Sequence, residues 1–407
     1  MDGLSRRRML VAGGALGAVG ALGAASPASA RSLWTWSPSG SVAGTGAGLD
    51  PEWVWDEEAD PVLAAVIDRG DVPRVNTLLK RWTRNDQPVP SGLPGDLREF
   101  MEHARQMPSW ADKAKLDRAA LFNKTKGIYV GALYGLGSGL MSTAIPREAR
   151  AVYYSKGGAD MKDRIAKTAR LGYDIGDLDA YLPQGSMIVT AVKTRMVHAA
   201  VRHLLPQSPA WSRTSGGQTI PISQADIMVT WHSLATFVMR RMKEWGVRVS
   251  PADSEAYLHV WQVSAAMLGV KDEYIPATWD AANAQSRQVL DPIMANTSEG
   301  EALTEVLLDI VAEIDAGLTR PLISAFSRYT LGDRVGDLIG LSEQPILEKL
   351  VSTAWPLLVA FREGLIPLPA VPAVLWTLEE ALRRFVLLFL NEAQPVAIDI
   401  PDINRPS

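Results

Sequence analysis

Not one of the 407 residues is cysteine. That absence excludes disulfide stapling, iron–sulfur clusters, thiolate zinc sites and haem attached covalently through a C-x-x-C-H motif. Any metal must be held by histidine, carboxylate, lysine, tyrosine or methionine. Histidine is itself scarce: His103, His198, His203, His232 and His259 are all there are. Beyond the first ten residues no basic tract stands out either. Lys and Arg total 41 against 45 Asp and Glu, a formal net charge of −4, so no nucleic-acid partner is expected. Alternating strand patterns are scarce, and there is neither an internal repeat nor a linker long enough to divide the chain.

What the chain does have begins at its first residues. Arg6-Arg7-Arg8 forms a basic start, a Gly- and Ala-rich apolar run follows, and Ala28-Ser29-Ala30 supplies an A-x-A cleavage site. The paired arginines after Ser5 fit a twin-arginine export signal over residues 1–30. The run is shorter than the roughly 20 strongly apolar residues that a membrane anchor needs. A secreted protein without stable membrane insertion is therefore expected. Losing Asp2 and the three leader arginines takes the net charge to about −6. Twin-arginine substrates cross the membrane folded, which suits a protein that takes up its cofactor in the cytoplasm.

After an irregular lead-in over 31–52, apolar periodicity is helical nearly everywhere. It predicts helices over 60–69, 71–83, 94–107, 112–140, 146–157, 159–171, 185–205, 223–245, 251–269, 278–295, 299–317, 320–331, 345–362 and 372–392. Pro146 and Pro251 stand at helix starts, and Gly172 and Gly246 stand past helix ends. The stretch 206–222 reads as the main internal loop, either a gate or a long connection. The expectation is a single all-α domain over 31–407, monomeric, with one helical core elaborated at both ends. The chain is 47% hydrophobic and holds 13 Trp. Buried helices account for most of this, although surplus apolar surface also suits a protein that works on a water-insoluble hydrocarbon.

Three segments carry candidate chemistry. In Met187–Arg202, helical spacing aligns Ala191, Thr194, His198, Val201 and Leu205 on one stripe, so His198 is expected to look inward from an apolar face. Arg195 and Arg202 flank it at three before and four after, positions from which a guanidinium reaches a carboxylate such as a haem propionate. Periodicity alone leaves His232 and His259 open as ligands, and a buried histidine bonded to a carbonyl is the bland reading of all three. In Met161–Arg170, Arg164, Lys167 and Thr168 share a helix face. A partly buried Lys167 would have a depressed pKa and a neutral, metal-binding amine. Glu148 follows Pro146-Arg147 in a first helical turn, where the macrodipole favours a carboxylate and weakens it as a base.

The leader, the lack of cysteine, Arg164-x-x-Lys167-Thr168 and Lys193-Thr194-Arg195-Met196-Val197-His198-Ala199-x-Val201-Arg202 together resemble the latex-clearing proteins, a family of secreted actinobacterial rubber oxygenases. The resemblance runs over the whole chain. It implies a globin-like helical core with additional helices at both ends, holding one non-covalent haem b. It further implies His198 as proximal iron ligand, Lys167 as a possible distal ligand, and Arg164 and Thr168 as residues that retain the cofactor. Glu148 takes the role of the base in cleavage. The implied reaction is endo-type cleavage of the double bonds of poly(cis-1,4-isoprene) with O2, giving oligo-isoprenoids with aldehyde and ketone ends. Two alternatives stay open at this point: a haem oxygenase of another apolar substrate, and a secreted globin-like haem or O2 carrier. A cofactor-free rubber-binding protein is a third.

Overall fold

Short polar side chains and prolines open the helices, and the helices follow one another with little between them. A computed structural model describes residues 40–44, 49–155, 171–172, 174–215, 217, 219–290, 292–312, 320–366 and 398–404. The expected leader, nearly all of the helix expected over 159–171 and the one expected over 372–392 lie outside the described residues. Within them the fold is all-α, with two isolated bridges (Ser41 to Pro276, Ser155 to Asn404) and no strand.

Helices α1 (Ala59–Asp68), α2 (Val72–Leu79) and α3 (Gly95–Ala104) come first. Helix α4 (Lys113–Ala132) is capped by Asp112, whose carboxylate accepts the Ala114 and Lys115 N–H groups at 2.8 and 3.3 Å. It runs on through a π-helical stretch, Leu133–Gly139, and a turn, Leu140–Thr143. Helix α5 (Pro146–Tyr154) has proline at its start and Glu148 in its first turn, as expected. Then come α6 (Met187–Leu204), the short α7 (Pro209–Thr214) and α8 (Gln224–Trp231), which opens on a Ser223–Asp226 capping box. A second π stretch, His232–Thr236, joins α8 to α9 (Phe237–Glu244). Helices α10 (Pro251–Met267), α11 (Trp279–Val289), α12 (Ser298–Ala312), α13 (Arg320–Leu331), α14 (Asp333–Leu338) and α15 (Pro345–Arg362) complete the order.

The two longest expected helices, 112–140 and 223–245, are each interrupted by a π turn. Both turns lie where the backbones come close. A Cβ on Gly137 would sit 2.6 Å from Cε1 of Phe237, so only glycine lets that ring lie on the first π stretch. The Ser138 hydroxyl donates to the Ser233 carbonyl at 2.6 Å and ties one π stretch to the other. Gly246, at φ +78°, ends α9 as expected. Gly172, expected past a helix end, is itself helical and lies under the Tyr134 ring.

Helix α6 lies between the cores. Val189, Val192, Met196, Ala199 and Ala200 enter an apolar cluster with α1, α2 and α3. Met187 and Ala191 join the large cluster built on α4, the π stretches and α8 to α15. Val201 and Leu205 form a small third cluster with Ala151 and Trp211. Beyond α6 the chain contains Ile222, the one non-glycine residue at positive φ (+56°) among the described residues. A β-branched residue held there costs on the order of 1–3 kcal/mol. No single described helix is long and apolar enough to cross a membrane. The pair Lys113–Thr143 and Pro146–Tyr154, bent by 90°, passes the same test by length and composition only.

Two glycine substitutions should act with opposite sign. Gly137→Ala forces a Cβ into Phe237 and should lower stability by about 1–3 kcal/mol. Gly127→Ala, in α4 with nothing within 4 Å of the new Cβ, should raise it by about 0.5–1 kcal/mol. Thermal unfolding midpoints measured side by side check both signs.

Candidate functional site

The apolar clusters cover α6 on most of its circumference, and what they leave is informative. In its central turns only Thr194, Val197 and His198 are half-buried, while the residues between them are buried. The stripe expected to be buried is thus split. Ala191, Val201 and Leu205 are buried, whereas Thr194 and His198 mark the helix's least covered side. His198 looks onto this strip and not into a sealed core.

Helix α5 meets the same side. Ala151 is buried with Val201, Leu205 and Trp211, and Tyr154 and Val197 pack on that cluster. Glu148 lies one turn before Ala151 on α5, and His198 one turn before Val201 on α6. The contact therefore sets the helix faces bearing Glu148 and His198 against the same small cluster.

The flanking arginines, expected to reach for a cofactor's carboxylates, are held in this structure by the chain's own carboxylates. Arg195 binds Asp56 through both Nε and Nη2, at 2.6 and 2.8 Å, and its Nη2 also reaches Glu58 at 2.9 Å. The Nε of Arg202 donates to Asp60 at 2.7 Å, and its Nη1 to the Ile222 carbonyl at 3.1 Å. Both guanidiniums are buried, and a buried charge needs such partners. Burial alone would lift the Asp56 carboxyl, but the Arg195 hydrogen bonds and charge outweigh it and hold the group below the ordinary range. Burial wins at Asp60, whose carboxyl is lifted despite Arg202. The fit is tight: a Cβ on Gly269 would come within 2.6 Å of both Arg195 Nε and Asp56 Oδ2. Sequence reasoning missed Asp56, Glu58 and Asp60. The available signal was a run of four acids in five residues, Asp56-Glu57-Glu58-Ala59-Asp60, set against two arginines two turns apart on one buried helix.

His103, His203, His232 and His259 are held by the chain's own groups. His232 lies in the second π stretch, with Nδ1 2.9 Å from the Thr236 hydroxyl and Nε2 2.6 Å from the Gln285 carbonyl oxygen. Burial pushes its pKa down to about 3. His259 Nε2 accepts the Asp112 N–H at 2.8 Å, and burial lowers its pKa as well. His103 and His203 pair with Glu58 at 3.4 Å and with Asp68 at 2.9 Å, toward solvent. His232 thus sits on an amide carbonyl, as the bland reading has it, whereas His259 accepts a backbone N–H. Arg164, Lys167 and Thr168 lie outside the described residues. Just after them, Leu171 packs on the large cluster and Gly172 on the Tyr134 ring.

The site offers one imidazole on an incompletely covered strip. Among the described residues, no three His or carboxylate side chains gather to cage a bare metal ion.

Comparison with known proteins places this geometry. Residues 127–361 match the family model described as "ER-bound oxygenase mpaB/B'/Rubber oxygenase, catalytic domain". The chain is 86% identical over 407 residues, the full length of both, to the rubber oxygenase of Streptomyces sp. (strain K30). It is also similar to a solved structure of latex clearing protein in the closed state. Identity there is 87% and the TM-score 0.88, over 91% of this chain and 100% of the other.

Two outcomes follow from the buried groups. Arg195→Met strands Asp56 and should lower stability by about 3–5 kcal/mol. Adding Asp56→Leu should restore all but about 1 kcal/mol, the loss left by the Ala59 N–H that Asp56 accepts at 3.1 Å. Urea unfolding of the single and double variants measures this. His232 titrates near 6.5 when unfolded and near 3 when folded. Its stabilisation is therefore complete above pH 6.5 and is lost as pH falls, at about 1.4 kcal/mol per unit. The stability gap between the parent and His232→Gln should narrow from pH 7 to pH 4, whereas a constant gap would contradict a neutral buried His232.

Proposed function

This chain belongs to the rubber oxygenase family, and from that premise we propose that it is an exported haem-b dioxygenase of poly(cis-1,4-isoprene). Cleavage falls within the polymer chain and uses O2, leaving oligo-isoprenoids with aldehyde and ketone ends. The observation that carries the haem assignment is the placing of His198: one imidazole on the half-buried strip of a helix whose other central positions are buried. Haem suits this donor set, since its porphyrin would supply most of the iron's nitrogen ligands and His198 would hold it from the protein. When bound, it would supply the activation of O2.

The chain's own residues do the rest. His198 holds the cofactor. Lys167 is assigned as an exchangeable nitrogen ligand, a gate and not a reagent, and Arg164 and Thr168 as supports for cofactor retention. Arg195 and Arg202, paired with Asp56, Glu58 and Asp60, hold α6 in place. Glu148 is assigned removal of an allylic proton from the substrate. Glu148 lies one turn before Ala151 on α5, and Ala151 is buried with Val201 and Trp211 in the small apolar cluster between α5 and α6. Export rests on the twin-arginine leader.

His198→Ala should lose the Soret band, while His259→Ala keeps it. Full haem in the His198 variant would contradict the assignment. Glu148→Gln keeps size and hydrogen bonding but cannot accept a proton. At matched haem content its O2 uptake on latex should fall by about 10²–10⁴-fold, and near-normal uptake would leave Glu148 only its helix-start role.

A further inference from the structure

The five residues Thr219–Ser223 are fastened almost atom by atom. The Trp211 indole N–H donates to the Thr219 carbonyl. Arg147 Nη2 donates to the Ile220 carbonyl at 3.2 Å, and Arg202 Nη1 to the Ile222 carbonyl at 3.1 Å. Ser223 then caps α8 with Asp226, whose carboxylate takes Nε and Nη2 of Arg147 at 3.0 Å each. Arg147 is the residue before Glu148, and Arg202 lies one turn beyond His198. The strap is thus clipped to the two helices that carry the proposed base and the proposed axial ligand.

Its apolar run, Ile220-Pro221-Ile222, contains the strained residue. Ile222 sits at φ +56°, a conformation glycine adopts without penalty. Instead a branched side chain is held there. It packs both on the small cluster of Ala151, Val201, Leu205 and Trp211 and on the large cluster. Ile220 beside it is 36% exposed. Strain kept in place by two arginines, at the junction of the two functional helices, calls for a role that relaxed glycine would not fill.

We propose that Ile222 is a specificity-determining residue: its side chain is the apolar wall against which a methyl-branched hydrocarbon chain lies, and the Arg147 and Arg202 clips keep that wall from relaxing. The inference deepens the rubber-oxygenase reading of this site and rests on it. The wall selects substrate by width, and so discriminates between cis and trans double bonds.

The test is O2 uptake by the haem-loaded full chain on cis- and trans-isoprene oligomers of equal length. Parent, Ile222→Val, Ile222→Ala and Ile222→Gly are compared at matched haem content. Removing carbon from an apolar wall is worth about tenfold or more in discrimination. The cis-to-trans ratio of kcat/KM should therefore drop by about that factor in Ile222→Ala and Ile222→Gly, chiefly through KM, with the Soret position unmoved. Ile222→Gly should also melt above Ile222→Ala, because glycine relieves the strain. If both smaller variants fail to load haem, Ile222→Val decides, with a smaller drop in the same direction. An unchanged ratio in an active protein overturns the proposal, as does equal melting of the Ala and Gly variants. A parent inert toward both oligomers would overturn the functional reading, and the role of Ile222 with it.

Discussion

A buried ion pair fixes the helix on which the site depends. Arg195 and Asp56 meet through two hydrogen bonds at 2.6 and 2.8 Å, deep enough that neither group can exchange its partner for water. Such a pair adds less net stability than its Coulomb attraction suggests, because both charges were desolvated to form it. What it does enforce is register. One placement of α6 satisfies Arg195 with Asp56 and Glu58 while Arg202 meets Asp60, and a slip or rotation of α6 would strand buried charge. His198 lies between these arginines in sequence, and so its direction is set by contacts that never touch it.

Packing follows from that placement. With the acidic segment on one side and apolar clusters on most of the remainder, α6 keeps one strip open, and α5 is set beside it through Ala151 and Tyr154. The π stretches do comparable work in the large core. Gly137 brings backbone against the Phe237 ring, and Ser138 bonds across to Ser233, so two long helices are joined where each is widened. π turns often mark functional places. Here the second one carries His232, which Thr236 and Gln285 bind and which burial keeps neutral.

Helix positions were legible because apolar spacing and first-turn residues are local. Pro146, Pro251 and the Ser223 region mark starts that the structure keeps. The π turns were not legible, since they answer to the distant contact of Gly137 with Phe237. Gly172 misled for a related reason: it is itself helical, and it lies against Tyr134, far away in sequence. At the site, the helical stripe singled out His198 but not its surroundings. Spacing placed Arg195 and Arg202 near it correctly, yet their partners come from residues 56–60, some 140 positions earlier, and no helical period reports that. Ile222 gave no sign at all, because an isoleucine does not announce a positive φ.

In this oxygenase family member one histidine is presented by a locked helix, and the proposal is that this presentation serves a haem. An absorption spectrum of the purified full chain, with its pyridine haemochrome, tests this most directly. A Soret band and haem b equimolar with the protein are expected. A preparation without a Soret band, and unable to acquire one when haemin is supplied, would contradict it.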